Sequence, residues 1–534
     1  MLAAAFLLLL FSRRPAQLLS PQVWSEDGLH VVGDLLSHGW WSIAYPLYDY
    51  LLVVPRLVSA VSLWISFYYY PLVSTLVSWS VIVAVGVAIA RSPTALRAPG
   101  WCALAVFVVP TDPEVFGLPL YTLWWMTLLL LLAALWNDEG RGWGWRLAFI
   151  VLGGLSSPVI ALVAPALLAR AFFARNRRHE WLAAAVAALI AGVQVSVALK
   201  YDYGPGWTPV PIASVLQHTL PVLVGKFVAG SWGAKAPLLW VATVLMAAVA
   251  VLHVRHGGER RTFWMLAYLL AGTLALVAFR VDPVYLDTRT IGPRYFFLPF
   301  VLISWILVQC VAAAPRSPQG VLAVLILLAA GANAVPVWSR SHADLRWAEH
   351  VRSCARFPSY PIPILTDGSA THLRYLTLPG STCASLMSRG LWPTPPDVGR
   401  LPTLPYLQVE GGIAAGSDEP GTLESATMRG ADSQRSSIPG YRVIGSYEAS
   451  EAATGEVRVR MTRNGRLRYR SGSSSGQVLT IVGHESEFST GLPSAPEWVF
   501  LEFGNGNLPE HFVVRIEDQG REPGQWSAVA IREP

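Results

Sequence analysis

Apolar runs of spanning or near-spanning length recur through the first 337 residues. They fall at about 2–18, 70–90, 98–111, 118–136, 146–155, 158–173, 180–199, 236–254, 262–280, 294–313 and 318–337. A bilayer core about 30 Å thick takes roughly 20 helical residues. Lipid offers no partner to an exposed peptide group, so runs of this kind must be helices. The chain is therefore expected to be a polytopic α-helical membrane protein with about eleven transmembrane helices. Composition agrees: of 534 residues, 53% are hydrophobic and 14% are charged, too apolar for a soluble protein. Within 146–173, Gly153-Gly154-Leu155-Ser156-Ser157-Pro158 interrupts the pattern. Gly and Pro there suggest two short helices joined by a tight turn, a single kinked span being the alternative. Residues 1–11 are followed by Arg13, Arg14 and Pro15 and by no small-residue cleavage site, so they read as a retained first span.

The net charge of +6 lies mostly in short loops between these runs. It is a topology signal, and no nucleic-acid partner is expected. One set of loops holds Arg91/Arg97, Arg141/Arg146, Arg175/Arg177/Arg178, Arg255/Arg260/Arg261 and Arg316, and is cytoplasmic by the positive-inside rule. The opposite set holds Glu26 and Asp27, residues 111–117, 200–235 and 280–295, and everything after Trp338. Arg13/Arg14 and the basic cluster at 280–294 break the rule on the outer side. Such residues need another reason, of which an anionic ligand is one.

After Trp338 the hydropathy collapses. The expected organisation is a transmembrane domain over 1–340, a connecting region over 341–390, a Pro/Gly/Ser-rich linker over 391–440 and a small β-sandwich-like domain over 441–534. In the last, Val457-Arg458-Val459-Arg460 and Leu467-Arg468-Tyr469-Arg470 alternate in period two around Asn464-Gly465, a hairpin signal. Further strands are expected over 478–482, 498–503, 511–516 and 526–531. The sandwich either binds sugar or caps the membrane domain. Cys102 and Cys310 lie in apolar runs and read as inert packing residues. Cys354 and Cys383 lie in the polar region and form a plausible disulfide if that region is outside the cytoplasm. No Cys/His spacing resembles a zinc site.

Two constellations carry chemistry. The first is Trp24-Ser25-Glu26-Asp27-Gly28, an acid pair just after the first apolar run, followed by a loop with amphipathic helical character. Either acid can serve as general base toward a hydroxyl, or the pair can hold a divalent cation such as Mg or Mn. The same residues also read as a helix start, with Ser25 as cap and the acids in the first turn. Glu114, in the next outer loop, is a further acidic candidate. The second constellation is Asp287-Thr288-Arg289-Thr290-Ile291-Gly292-Pro293-Arg294-Tyr295. Arg294 opens a span at the level of a lipid phosphate, which its fork suits bidentately, and Arg289 is close by. A snorkelling arginine beside an aromatic anchor is the plainer reading. Arg56 and Lys226 are weaker phosphate candidates.

In their order and membrane placement, residues 24–28, 48–56, Pro113-Glu114 and Gly292-Pro293-Arg294-Tyr295 resemble the GT-C superfamily of integral membrane glycosyltransferases, in particular a poorly characterised bacterial group. The resemblance covers about residues 1–340. It implies a bacterial inner-membrane enzyme transferring a hexose or pentose from a polyprenyl-phosphate donor to an envelope glycan, lipid or protein acceptor. It also implies inversion at the sugar, with a catalytic acid in the first outer loop that maps to Asp27 or Glu26. Glu precedes Asp here, where many members have Asp first, which leaves open which acid is the base. A transporter or flippase of lipid-linked sugars, or a membrane-anchored envelope assembly protein, are the competing readings. Ionisable groups within the spans are few and no internal repeat is seen, which counts against a transporter.

The loop charges put the chain after Trp338 outside the cytoplasm. A reporter fused after Pro534 is expected to be active there, and activity confined to the cytoplasm would refute the orientation.

Overall fold

The computed structural model describes the chain apart from Met1, Tyr48 and residues 138–140, 175–176, 202–214, 231–235, 256–259, 282–285, 290–291, 357–358, 367, 369–372, 392–407, 412–420, 431–437, 439, 448–453, 463–464, 473–476, 483–486, 493–494, 496–497, 503–508, 519–524 and 533–534. Tyr48 of the 48–56 stretch, Thr290 and Ile291 before Arg294, and Asn464 of the expected hairpin turn lie outside the described residues. A polytopic α-helical region is followed by a strand-rich C-terminal region.

Among the described residues, six helices are long and apolar enough to cross a membrane: Tyr70–Arg91, Arg177–Lys200, Pro237–Arg255, Arg260–Phe279, Arg294–Ala313 and Pro318–Val337. The other expected spans are shorter helices. The run at 2–18 is divided into Leu2–Arg13 and Pro15–Leu19, and that at 98–111 is Pro99–Phe107. The run at 118–136 is Thr122–Ala134, buried on nearly every side. An all-round apolar helix is as well suited to a protein core as to lipid. The 146–173 stretch forms two helices, Trp143–Gly154 and Ile160–Phe173. Their junction is held by polar groups brought from elsewhere. Gln194 Nε2 donates to Gly154 O at 2.8 Å, the Val54 amide to Ser156 Oγ at 3.0 Å, and Thr127 Oγ1 to Ser157 Oγ at 2.8 Å. The bond to Gly154 O satisfies a carbonyl that a continuous helix would have paired internally.

The chain divides into two compact units that interleave in sequence. Met1–Leu19, Asp34–Val61 and Ser74–Ser341 form the first; Ser20–Gly33, Ser62–Val73 and His342–Pro534 form the second. Two segments from the N-terminal region thus belong with the C-terminal one, across the expected boundary at 340.

In the second unit, β1 (Ser359–Leu365) pairs antiparallel with β2 (Leu373–Pro379). Helices Trp347–Arg356 and Gly380–Ser388 accompany this hairpin and are joined by a Cys354–Cys383 disulfide. Trp347 packs on Phe67 and Tyr70 and donates its indole N–H to Phe67 O at 3.2 Å. The early segments are anchored in this way.

The remaining strands make two five-stranded sheets. One has the order β3 (Gln408–Gly411), β10 (Val499–Glu502), β7 (Arg466–Ser471), β12 (Ser527–Arg532), β5 (Tyr441–Gly445). The other has the order β4 (Thr422–Ala426), β6 (Gly455–Thr462), β11 (His511–Asp518), β8 (Gln477–Val482), β9 (Glu487–Gly491). The expected hairpin does not form: β6 and β7 lie in different sheets. Val457, Val459 and Met461 of β6 and Leu467 and Tyr469 of β7 share one buried core with Phe512, Val514, Ile516, Val529 and Ile531. Alternation records which side chains face the core. It is the same for two paired strands as for two strands on opposite walls of that core. Two strands, β3 and β4, come from the stretch expected to be linker and occupy sheet edges.

His350, in the helix Trp347–Arg356, is buried. That burial, seconded by the charge of Arg346, holds its imidazole at about 3, against about 6.5 unfolded. Its stabilising contribution is present above pH 6.5. It is lost as pH falls toward 3, because the unfolded state then binds a proton that the folded state refuses. Replacing His350 with Gln is expected to flatten the acid limb of stability below pH 6.5, by up to about 1.4 kcal/mol per pH unit. Thermal unfolding between pH 4 and pH 7 measures it; an unchanged limb would count against the assignment.

Candidate functional site

The acid pair belongs to the second unit. The Leu365 amide donates to Val23 O at 3.1 Å, and Trp24 bridges Leu365 in parallel. The chain then turns into a helix, in which Ser25 and Glu26 already lie and which continues as the π-helical segment Asp27–Val32. Ser25 therefore stands inside the turn and not ahead of it. Glu26, at the head of the π-segment, makes no side-chain capping bond, while Asp27 is the acid of its first turn. π-Segments are rare and frequent at functional sites. Asp27 is 4% exposed, and Glu26 is half-buried. Gly28 makes the turn's position possible. A Cβ there would stand 2.3 Å from Ile364 Cδ1 and 3.0 Å from Val23 Cγ1. The Trp24 ring meets the His342 ring edge-on at 5.8 Å, and His342 Nε2 lies 2.8 Å from Ser20 O.

Arg294 belongs to the first unit. Gly292 takes a left-handed turn (φ +71°) and Pro293 caps the helix Arg294–Ala313, so the guanidinium emerges at the start of a long apolar helix. Its Nη1 donates to Glu114 Oε1 at 2.8 Å and to Tyr121 Oη at 3.2 Å; Tyr121 donates to the same carboxylate oxygen at 2.8 Å. The ring of Tyr295 flanks it at 5.1 Å. The Arg294 side chain remains 29% exposed. Lys226 pairs with Asp287 at 3.0 Å and lies 5.7 Å from the Phe296 ring, in the first turn of the same helix. Asp287 also accepts from the Arg289 amide at 2.7 Å, leaving the Arg289 side chain in an exposed turn. Arg56 is elsewhere committed: it is fully buried, donating to Asp34 at 2.7 Å and Pro46 O at 3.4 Å.

Of the outlying residues, the structure thus brings Arg294 together with Glu114, and Lys226 with Asp287 beside Arg289. Glu26 and Asp27 form a feature of the other unit. Sequence reasoning missed Tyr121, Asp112 and Arg340 as members of this network. Arg340 reaches Asp112 at 2.9 Å, and the Asp112 amide donates to Thr288 O at 2.9 Å. Burial pushes the Asp112 carboxyl up, against the pull of Arg340 and Arg14. Arg13 and Arg14 have a structural reason for being where they are. Arg13 donates to Val109 O and Thr111 O, and Arg14 to Pro113 O, Glu114 O and Gln17 Oε1. Their violation of the charge rule was the available signal. It points to support of the 109–114 loop; contact with a ligand is not needed to explain it.

Among the described residues, no group of three or more His, Cys, Asp or Glu side chains could hold a metal ion.

No protein-family model and no curated protein sequence matches the chain. Among solved structures, the arabinosyltransferase EmbB from Mycobacterium smegmatis matches at 13% identity with a TM-score of 0.24, covering 100% of this chain and 64% of that chain. The chain thus spans less than two thirds of the length of that protein, and a likeness of this degree carries no argument for fold or activity.

The contact under Gly28 gives a direct test. Gly28→Ala is expected to destabilise the protein by about 1–3 kcal/mol through overpacking. Ile364→Ala in the same chain should recover part of that loss, because it removes the clashing atom. Thermal unfolding of both singles and the double closes the cycle; strictly additive effects would remove Ile364 as the partner of the turn.

Proposed function

We propose that the protein is a membrane glycosyltransferase of the GT-C type. It moves a hexosyl or pentosyl group from a polyprenyl-phosphate donor to an envelope glycan, lipid or protein at the extracytoplasmic face of the bacterial inner membrane, with inversion. The observation that carries this reading is the setting of Arg294. A partly exposed guanidinium stands at the first residue of a long apolar helix, with one nitrogen fixed by Glu114 and Tyr121. A cation fixed at a helix end of this kind suits a phosphate at headgroup level. Lys226 and Arg289 supply further positive charge toward the same anion. Arg56, buried against Asp34, acts as a loop anchor in this reading.

The reaction is a displacement at the anomeric carbon. Asp27 takes the proton from the acceptor hydroxyl as its oxygen bonds to that carbon. The bond to the phosphate oxygen breaks with its electron pair, and Arg294 stabilises the charge that leaves. Glu26 orients Asp27. The burial of Asp27 and its fixed turn support the role, since a general base must be held at hydrogen-bond distance from its substrate.

Transfer from a polyprenyl-phosphate sugar in reconstituted membranes, with donor binding measured separately, tests the assignment. Asp27→Asn is expected to cut turnover by about 10²–10⁴-fold with donor binding largely kept. Arg294→Ala should weaken donor binding as well as turnover, and Arg294→Lys should restore only part, because lysine lacks the fork. If the double variant Asp27→Asn, Glu26→Gln keeps wild-type turnover, the acid pair leaves the mechanism. Movement of the lipid-linked sugar across the vesicle membrane with no transfer would replace the enzyme with a transporter.

A further inference from the structure

The first unit contains a large cavity that the proposed reaction does not use. It has a volume of about 620 Å³ and lies between the helices Ile160–Phe173 and Arg260–Arg280, within the range of about 300–1,000 Å³ typical of small-molecule sites. Pro165, Ala166 and Ala169 on one helix and Met265 on the other make an apolar wall. The two helices are tied where Tyr268 donates to Leu162 O at 2.9 Å. Phe173 and Trp264 stand exposed on the flanks. Both helices are strongly apolar, so these exposed rings are suited to lipid and not to water.

One end of the groove is basic. Arg260, Arg261 and Arg170 line it. Arg170 is held rigidly, donating to Glu180 at 3.0 and 3.3 Å and to Ala134 O at 2.9 Å. Glu180 is also bound bidentately by Arg146 at 2.6 and 2.9 Å, so one carboxylate serves two guanidinium groups. Two polar atoms on the lining are unused: Thr262 Oγ1 and Asn137 Oδ1 are buried and have no hydrogen-bond partner among the described residues. A buried hydroxyl without a partner is costly. Beside three arginines, it is placed to donate to an anion.

We propose that this groove is a binding site for an anionic glycerophospholipid. One acyl chain lies along the alanine wall, and the headgroup phosphate is bound by Arg260, Arg261 and the Thr262 hydroxyl. The charge of the groove's end selects an anionic headgroup over a zwitterionic one, and the apolar wall selects a lipid over a soluble phosphate. These arginines belong to the loops assigned to the cytoplasmic side, so the site is distinct from that of Arg294. It stands whether or not the chain is a glycosyltransferase.

Native mass spectrometry of the purified full-length protein, titrated with dioleoyl phosphatidylglycerol or dioleoyl phosphatidylcholine, tests it. The wild type should retain the anionic lipid in clear preference. The double variant Arg260→Gln, Arg261→Gln should lose affinity for phosphatidylglycerol by about fivefold per arginine, on the order of twentyfold for the pair, and retain the two lipids alike. Ala169→Trp fills the groove with the arginines intact and should abolish retention, which decides the matter should the arginine variant not fold. Equal retention of both lipids by the wild type, or undiminished phosphatidylglycerol binding by Ala169→Trp, would overturn the site.

Discussion

Two buried guanidinium groups hold the polar heart of the first unit together. Arg13 and Arg14 are fully buried and together reach the carbonyls of Val109, Thr111, Pro113 and Glu114. A non-helical loop buried in protein must find donors for its carbonyls, and neighbouring backbone supplies few of them. Hydrogen bonds to charged groups contribute about 1.5–3 kcal/mol each, set against the cost of bringing the charges out of water. Arg13 is further sandwiched between the rings of Phe116 and Trp338, each at 4.8 Å. The loop so fixed carries Asp112 to Arg340 and Glu114 to Arg294. The geometry around Arg294 therefore begins with two arginines that stand about a hundred residues before the loop they support.

The long spans are legible in the sequence because their signal is local. Twenty consecutive apolar residues identify a helix wherever its neighbours lie, and all six long helices fall on expected runs. The shorter runs are ambiguous for a reason internal to the same argument. Thr122–Ala134 is apolar because protein surrounds it, and hydropathy does not distinguish a leucine facing a helix from a leucine facing lipid. The sandwich is legible as alternation, but its wiring is not. Tyr469 and Val459 alternate identically, yet one pairs with Val529 and the other with Val514.

The candidate site is partly legible. Arg294 and Glu114 stand out as charges near membrane ends, and their 2.8 Å contact joins positions 180 residues apart in sequence, which no spacing rule reveals. Arg56 stands out for the same reason as Arg294 but is used internally, against Asp34. A sequence marks a charge as costly without saying whether its partner is inside the protein or outside it. The role of Gly28 was likewise invisible, because the atom that demands it belongs to Ile364.

The interleaving of the two units has a consequence for synthesis. The acid-bearing segment leaves the ribosome early, but the strand that receives Val23 and Trp24 ends at Leu365. At about 5–20 residues per second, roughly 15–70 s separate the two. Throughout that interval the segment has no strand to pair with, while the helices between are being inserted. A chain cut short between Val337 and β1 contains all six long apolar helices and still lacks the surface against which Glu26 and Asp27 are shaped. The order of the sequence thus acts as a completeness check: the membrane domain can be finished first, but the turn that presents the acids waits for the last third of the chain.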